Sequence, residues 1–240
     1  TLECFRMNPT RLGVGVIGAG KVGPVFAQAL AGAGHALVGI TKPSDGDTDR
    51  LHAVVPGVAL KEPLEIIALS ELVIIAIPDS EVAGFVEGVS KAHGWRRGQI
   101  VAHTSISHGL DVLDSATEAG VIPLTLHPLM EFTGTSMDIA RMSQAWCVVG
   151  SPPVAAPIAS ALAVEMGMEP LSVQDEHRSL VASAIALATS FSHTTIAEAA
   201  SRLESAGITN PGVVLSALVN SSVDNALRSV AGNDVERGQQ

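Results

Sequence analysis

Short apolar runs alternate along most of the chain with stretches whose apolar residues recur at helical spacing. The first run, 14–17, is rich in β-branched residues, which is typical of a strand buried on both faces. After it Val22, Val25 and Phe26 recur at helical spacing until Gly34 ends the pattern. Strands that alternate with helices in this way predict an α/β fold on a doubly wound, mostly parallel sheet.

Seven further apolar runs are predicted as strands, and the run at 72–77 is the clearest central strand. The other six lie at 36–40, 58–60, 99–103, 121–126, 145–150 and 171–173. Helices are predicted between them at 62–70, 111–119 and 153–167, and Asp79 is predicted as the N-cap of another.

The pattern changes after Gln174. Leu180, Leu187 and Phe191 recur at helical spacing, and a second long helix is predicted from Pro211 to about Val230. Two helices cannot bury their apolar residues alone, which favours packing both on the first domain and on a partner subunit in a homodimer. The chain is therefore predicted to consist of a disordered lead, an α/β domain and a smaller all-helical C-terminal domain. These cover 1–10, 11–174 and 175–240.

The turn after the first strand has a glycine pattern with a physical meaning. Gly18-Ala19-Gly20-Lys21-Val22-Gly23 fits G-x-G-x-x-G, in which the first glycine makes a tight turn and the second lets the backbone approach a pyrophosphate. The third lets the helix close onto the strand. The strand before and the helix after this segment predict a dinucleotide-binding Rossmann domain. The alternative is a glycine-rich turn without a ligand.

The end of the second strand bears on which dinucleotide binds. NAD sites usually place an acidic residue about 20 residues past the glycines. Here Thr41, Lys42 and Ser44 stand in that region, and a cation with two hydroxyls suits the 2′-phosphate of NADP. NADP is therefore preferred to NAD. Asp45 and its neighbours leave open the alternative that a carboxylate binds the ribose.

Candidate chemistry lies at the ends of two predicted strands. His103 and His127 end neighbouring strands, and histidine titrates close enough to neutral pH to move the proton that accompanies hydride transfer. His127 is the predicted acid/base, and His103 is either a positioning group or a packing residue. Thr104 and Ser105 are predicted to bind the substrate or the carboxamide of the cofactor, unless they cap the next helix.

Two further features are candidates for contact with a substrate. The segment 130–136 contains a glycine and is predicted to form a loop that acts as a lid. Arg141 and Arg178 are candidates for holding an acidic substrate, unless each forms a surface salt bridge.

Composition excludes several other classes of protein. A net charge of −10 argues against general affinity for nucleic acid, whose phosphates need a basic face. The 3% of aromatic residues provide no stacking platform for single strands. The two cysteines have no ligand spacing, so no metal site is predicted. The apolar runs are too short or too interrupted to cross a bilayer, and no signal peptide is recognised, so we expect a cytoplasmic protein without a membrane partner.

Several of these motifs together resemble a known family. The glycine turn, Ile77-Pro78-Asp79, His103-Thr104-Ser105 and 127–135 are similar to an uncharacterised bacterial family of Rossmann-like proteins with a helical C-terminal domain. The resemblance extends to 224–228 in the last helix, and it implies an oxidoreductase in the 6-phosphogluconate dehydrogenase-like superfamily. It also implies that Ile77 and Pro78 line the cofactor site.

More distantly, the chain resembles prephenate dehydrogenases. His127-Pro128 before Met130 is similar to their His-Pro-Met segment, whose histidine meets the substrate hydroxyl. Related dehydrogenases use a lysine from the helical domain, but this chain has no lysine after Lys91. Ile106 and Glu131 also depart from the residues usual in the first family. The glycine turn, the residues after the second strand and the two histidines, together with the resemblance, predict an NADP-dependent oxidoreductase of a small hydroxy or keto compound with a carboxylate. The alternative is a protein that senses NADP without turnover.

Overall fold

A computed structural model of the chain describes residues 11–237, apart from the side chains of 192 and 232–237. The predicted lead at 1–10 lies outside these residues. The chain divides into two compact units, Thr1–Ala182 and Ser183–Gln240. The predicted domain boundary after Gln174 stays a prediction.

The first unit is built on a seven-stranded sheet with the order β2-β1-β3-β4-β5-β6-β7. Its strands are β1 Gly13–Ile17, β2 Ala36–Ile40, β3 Leu72–Ile75, β4 Ile100–His103, β5 Ile122–Pro128, β6 Trp146–Gly150 and β7 Glu169–Ser172. All neighbours pair in parallel except β5 and β6, which are antiparallel. The predicted α/β fold with a doubly wound, mostly parallel sheet is confirmed.

Helices connect the strands of this sheet. They are α1 Val22–Gly32, α2 Thr48–Val54, α3 Pro63–Leu69, α4 Asp79–Lys91, α5 Asp114–Thr117, α6 Met137–Met142 and α7 Ala156–Glu165. The predicted helix at 111–119 is replaced by a short 3₁₀ turn, Leu110–Leu113, followed by α5. The strand predicted at 58–60 is reduced to an isolated bridge between Ile40 and Leu60, because the chain soon turns into α3 at Pro63.

Alternate residues of each strand face opposite sides of the sheet, and both sides are covered by helices. Val14 and Val16 lie in one buried cluster with Phe26 and Leu30 of α1. Val73 and Ile75 lie in the other, with Val82 of α4 and its neighbours. Burial on both faces explains why these strands are continuous apolar runs in the sequence.

The second unit consists of helical segments. α8 spans Arg178–Ser205, so its first turn belongs to the first unit, and α9 spans Pro211–Arg237. Leu187, Phe191 and Leu218 are among the large apolar side chains that these helices expose. The helical stretch Asp175–Ser205 is long and apolar enough to cross a membrane, judged by length and composition alone.

Candidate functional site

The glycine turn between β1 and α1 has three glycines in three different surroundings. Gly18 has φ of +109°, and a Cβ there would collide with Ala76 O. A Cβ at Gly23 would collide with Gly18 O, so α1 can approach the turn only at a glycine. By contrast, the space around Gly20 is open. A ligand can therefore approach the backbone of the turn at its second glycine, as dinucleotide binding requires.

The end of β2 is tied to this turn. Gly18 N–H donates to Thr41 Oγ1 at 2.8 Å, so the Thr41 side chain braces the turn. Lys42 is exposed, and its Nζ lies 4.0 Å from Glu62 Oε1. Ser44 is exposed in the same loop. Of these three predicted residues, Thr41 is bonded to the turn, while the roles of Lys42 and Ser44 stay predictions.

Arg50 of α2 is the main residue at this turn that sequence reasoning left without a role. Its Nη1 donates to Gly20 O and its Nη2 to Ala19 O, each at 3.3 Å. In the sequence Arg50 follows the 41–44 region at a spacing of about 30 residues from the glycines, and only the fold of α2 against the turn shows its contact with their carbonyls.

A second loop also reaches the turn. Asp138, fully buried in α6, accepts hydrogen bonds from the backbone N–H groups of Thr133, Gly134 and Thr135 at 2.8–3.4 Å. A Cβ at Gly134 would lie 3.2 Å from Lys21 Cγ. The ring of Phe132 packs edge-to-face on Phe26 of α1, with centroids 6.3 Å apart. The segment predicted as a lid is thus held against the glycine turn, and Asp138, which holds it, was not predicted.

The two candidate histidines lie at neighbouring strand ends. Ile17, Ile75, His103 and Thr125 align in one row across β1, β3, β4 and β5. β5 continues beyond this row because its far half pairs with β6, where His127 lies opposite Val148. The strand predicted at 121–126 therefore extends to Pro128, so His127 lies within β5, one residue before its end.

The contacts of His127 define its protonation. Its Nδ1 lies 2.7 Å from Thr104 O. Because a carbonyl oxygen can only accept, Nδ1 carries the hydrogen and Nε2 has the lone pair. Burial lowers the pKa of His127 below its usual value, although the bond to Thr104 opposes this. At neutral pH Nε2 can therefore accept a proton.

His103 is fully buried at the end of β4. Its Nε2 donates to Gly109 O at 2.9 Å, while Nδ1 has no hydrogen-bond partner among the described residues. Burial lowers the pKa of His103 to about 4, so the ring is neutral at physiological pH. A neutral, enclosed ring fits the positioning or packing alternatives better than direct proton exchange with solvent.

The loop after His103 is braced from several sides. Ser105 is buried, and its Oγ accepts from His108 N–H at 3.3 Å. His108 Nε2 donates to Asp79 O at 2.9 Å, which joins this loop to the start of α4. Ile77 and Pro78 lie just before that helix and are partly buried and exposed, respectively. Pro78, and not Asp79 as expected, is the N-cap residue of α4.

The two arginines considered for an acidic substrate differ. Arg178 is buried and donates to Asp175 Oδ1 at 2.7 Å and to Thr125 Oγ1 at 2.8 Å. Its Nη1 also reaches His108 O at 3.4 Å. Arg141 is exposed, with Nη1 3.6 Å from Asp138 Oδ1. Arg178 therefore braces β5 and the 105–109 loop, and its guanidinium is not open to a ligand.

No cluster of three or more metal-ligating side chains occurs among the described residues. Cys147 is buried, and burial raises the pKa of its thiol to about 12, which makes it a poor nucleophile.

Two family profiles cover most of the chain. The Rossmann-like domain matches residues 3–128, and a domain of unknown function (DUF2520) matches residues 145–234. No curated protein sequence matches the chain.

Solved structures share the fold. A candidate NADP oxidoreductase from Bacteroides fragilis is 20% identical with a TM-score of 0.71, over 90% of this chain and 80% of that one. A reductive aminase from Aspergillus terreus, in complex with NADPH and ethyl-5-oxohexanoate, is 17% identical with a TM-score of 0.69, over 92% and 77%. An imine reductase from a Pseudomonas species is 18% identical with a TM-score of 0.68, over 92% and 77%. Identities this low show similarity of fold.

Proposed function

The chain belongs to the Rossmann-like domain family, and on this premise we propose that it is an NADP-dependent oxidoreductase of a small hydroxy or keto compound that carries a carboxylate. The observation that carries the proposal is the pairing of an open glycine turn with a neutral, partly exposed His127 at the carboxyl edge of one sheet. In open α/β sheets, ligands bind at this edge.

The cofactor proposal has two supports. The glycine turn fits a pyrophosphate, since Gly20 is open while Gly18 and Gly23 are closely packed. Similar folds include a candidate NADP oxidoreductase and a reductive aminase solved with NADPH. Residues 18–23, with Thr41, Lys42 and Ser44 at the ribose end, would hold the dinucleotide, and Ile77, Pro78 and Thr104 would line its nicotinamide end.

The bound nicotinamide would supply or accept a hydride. His127 Nε2 would accept the proton of a substrate hydroxyl during oxidation and return it during reduction, while Thr104 O holds the ring in the required tautomer. His103 would support this loop through Gly109 O, and Ser105 would shape the substrate pocket through its bond to His108. The carboxylate of the substrate would be held by hydroxyl groups of the 104–107 segment.

The second candidate function is a sensor that binds NADP without turnover. It is favoured by one observation, the absence of any lysine after Lys91, since related dehydrogenases use such a residue. Enzyme and sensor differ in their behaviour after binding: both bind NADPH, but only the enzyme oxidises it when a substrate is present.

The test is His127→Asn in a screen of small keto and hydroxy acids that monitors nicotinamide absorbance. We expect turnover to fall by about 10²–10⁴ with NADPH affinity nearly unchanged, since the hydrogen bonds described at the glycine turn come from Thr41 and Arg50 and His127 acts on the proton. His93→Asn is the control, because His93 is exposed with φ of +51°, a conformation that asparagine tolerates. Equal turnover of His127→Asn and the parent would exclude His127 as acid/base; tight NADPH binding without any reacting compound would favour the sensor.

The second unit is the basis of a proposal on assembly and location. Its helices line a mostly apolar cleft of about 310 Å³, and Phe191, Ile196 and Leu218 are among its walls. We propose that a second copy covers these helices, giving a cytoplasmic homodimer without a nucleic-acid or membrane partner. Light scattering of the chain purified without detergent should show a dimer at micromolar concentration; a stable monomer, or insolubility without detergent, would contradict this.

A further inference from the structure

Arg50 stands at a fixed position beside the glycine turn. Its backbone N–H donates to Asp47 Oδ1 at 2.9 Å, and Asp47 is the N-cap residue of α2. The first turn of this helix is therefore anchored, and the arginine side chain extends from it to the carbonyls of Ala19 and Gly20.

The guanidinium is enclosed on three sides. The two carbonyls bound it on the side of the turn, and a Cβ at Gly134 would lie 3.3 Å from Nη1. Asp47 Oδ2 lies 3.7 Å from Nε. On the remaining side stands Asp45, whose Oδ2 accepts from Nη2 at 3.2 Å. The Asp45 side chain is 57% exposed and that of Arg50 is 27% exposed, so an external anion that approaches the guanidinium on this side meets the Asp45 carboxylate.

The charges at this place are unusual for a phosphate site. One guanidinium faces two carboxylates, so the contact group is negative overall. A ribose 2′-phosphate brought here meets repulsion from Asp45 unless that carboxylate moves away. An exposed ion pair costs little to separate, and Asp45 can keep its other bond, from Asp47 N–H to Oδ1 at 3.0 Å. A dinucleotide without the phosphate has no need to displace it.

We infer that Asp45 occupies, in the unliganded protein, the place on Arg50 that the 2′-phosphate of NADP takes, and that this competition sets the preference between the two dinucleotides. The inference rests on the proposed function and names the residues that determine cofactor specificity. It assigns to Arg50 a phosphate contact in addition to those at Lys42 and Ser44. Asp45 then limits the affinity for NADP while leaving that for NAD unaffected.

The experiment is titration calorimetry of the full chain with NADPH, NADH and adenosine 2′,5′-bisphosphate. Asp45→Asn should increase the affinity for NADPH and for the bisphosphate severalfold and leave the affinity for NADH unchanged. Arg50→Gln should weaken the same two ligands by about tenfold or more, as expected for a lost charge-assisted contact. Asp49→Asn is the matched control, because it makes the same change of charge on α2, and the ion pairs of Arg50 within the described chain are to Asp45 and Asp47. Thermal unfolding verifies that each variant is folded.

Several results would overturn the inference. If Asp45→Asn lowers the affinity for NADH, the carboxylate binds the ribose. If Asp45→Asn and Asp49→Asn raise the affinity for NADPH equally, only the overall charge matters. If Arg50→Gln weakens NADPH and NADH equally, Arg50 supports the turn and does not bind the phosphate. In each of these results the parent binds a dinucleotide, so the proposed function survives. If the parent binds neither NADPH nor NADH, the proposed function and this inference fail together.

Discussion

The two units of the chain treat similar apolar residues in opposite ways. In the first unit, Phe26 and Leu30 of α1 are fully buried against the sheet. In the second, Leu187 is 73% exposed and Leu218 is 66% exposed. A sheet offers a flat apolar face to every helix above or below it, whereas a helix pair can cover only one stripe of each member. The apolar residues of a helix therefore predict that its apolar face packs against something. Whether the same chain supplies that surface depends on the surrounding elements.

The largest expected loss of stability comes from Gly18→Ala in the first unit, and Gly212→Ala in the second unit is its comparison. Gly18→Ala should lower the free energy of unfolding by about 2–6 kcal/mol, because it combines backbone strain at positive φ with a collision at Ala76 O. Gly212→Ala, at an open position in α9, should change it by less than about 1 kcal/mol. Urea unfolding measures both. Similar losses in the two variants would contradict the contrast between the units.

Truncation of one leucine in each unit tests burial directly. Leu30→Ala should lower the free energy of unfolding by about 2–5 kcal/mol, since it opens a cavity in the core. Leu187→Ala should hardly change the stability of a monomer. If a second copy covers α8, the same substitution should instead weaken the dimer, which sedimentation at a series of concentrations detects. Loss of stability in Leu187→Ala without any change in self-association would show that the side chain is buried within its own chain.

The two arginines of α8 lie in different units, Arg178 in the first and Arg202 in the second. Arg178→Met should cost about 1.5–3 kcal/mol, because Asp175, Thr125 and His108 O lose a buried donor. Arg202 is exposed and paired with Glu198 one turn away, so Arg202→Met should lower the free energy of unfolding by less than about 0.5 kcal/mol. Chemical unfolding of both variants decides; equal effects would mean that the Arg178 contacts add nothing to stability.

The smallest expected effect, when it is counted per pH unit, is the dependence of the stability of the first unit on pH. The pKa of His103 is lowered to about 4 in the folded chain, while the unfolded chain has the ordinary value of 6.5. Between these values the unfolded state binds more protons, so stability falls as pH decreases, by about 1.4 kcal/mol per pH unit for this group. Above pH 6.5 the contribution is constant. His103→Gln should flatten the slope between pH 6.5 and 4; an unchanged slope would assign it to other groups.

Much of the first unit is predictable because its signals are local. The runs at 14–17 and 72–75 are rich in β-branched residues, which predicts strands buried on both faces. The spacing of the glycines predicts which backbone positions lack room for a side chain. The strand at 58–60 misled because an apolar run of three residues looks the same whether it pairs along its length or makes one bridge. The short α2, with its exposed, charged start at Asp47, carries too little apolar periodicity to be recognised.

The class of fold, the Rossmann turn and the nearness of two histidines to strand ends can be predicted from the sequence, because alternation and glycine spacing act through the chain's own backbone. Tertiary packing paired β6 antiparallel with β5 and so extended β5 past His127. It also brought Arg50 onto the carbonyls of Ala19 and Gly20, and it buried Asp138 under the 133–135 loop. Such contacts depend on how separate elements pack, since residues distant in the chain leave no shared period in the sequence.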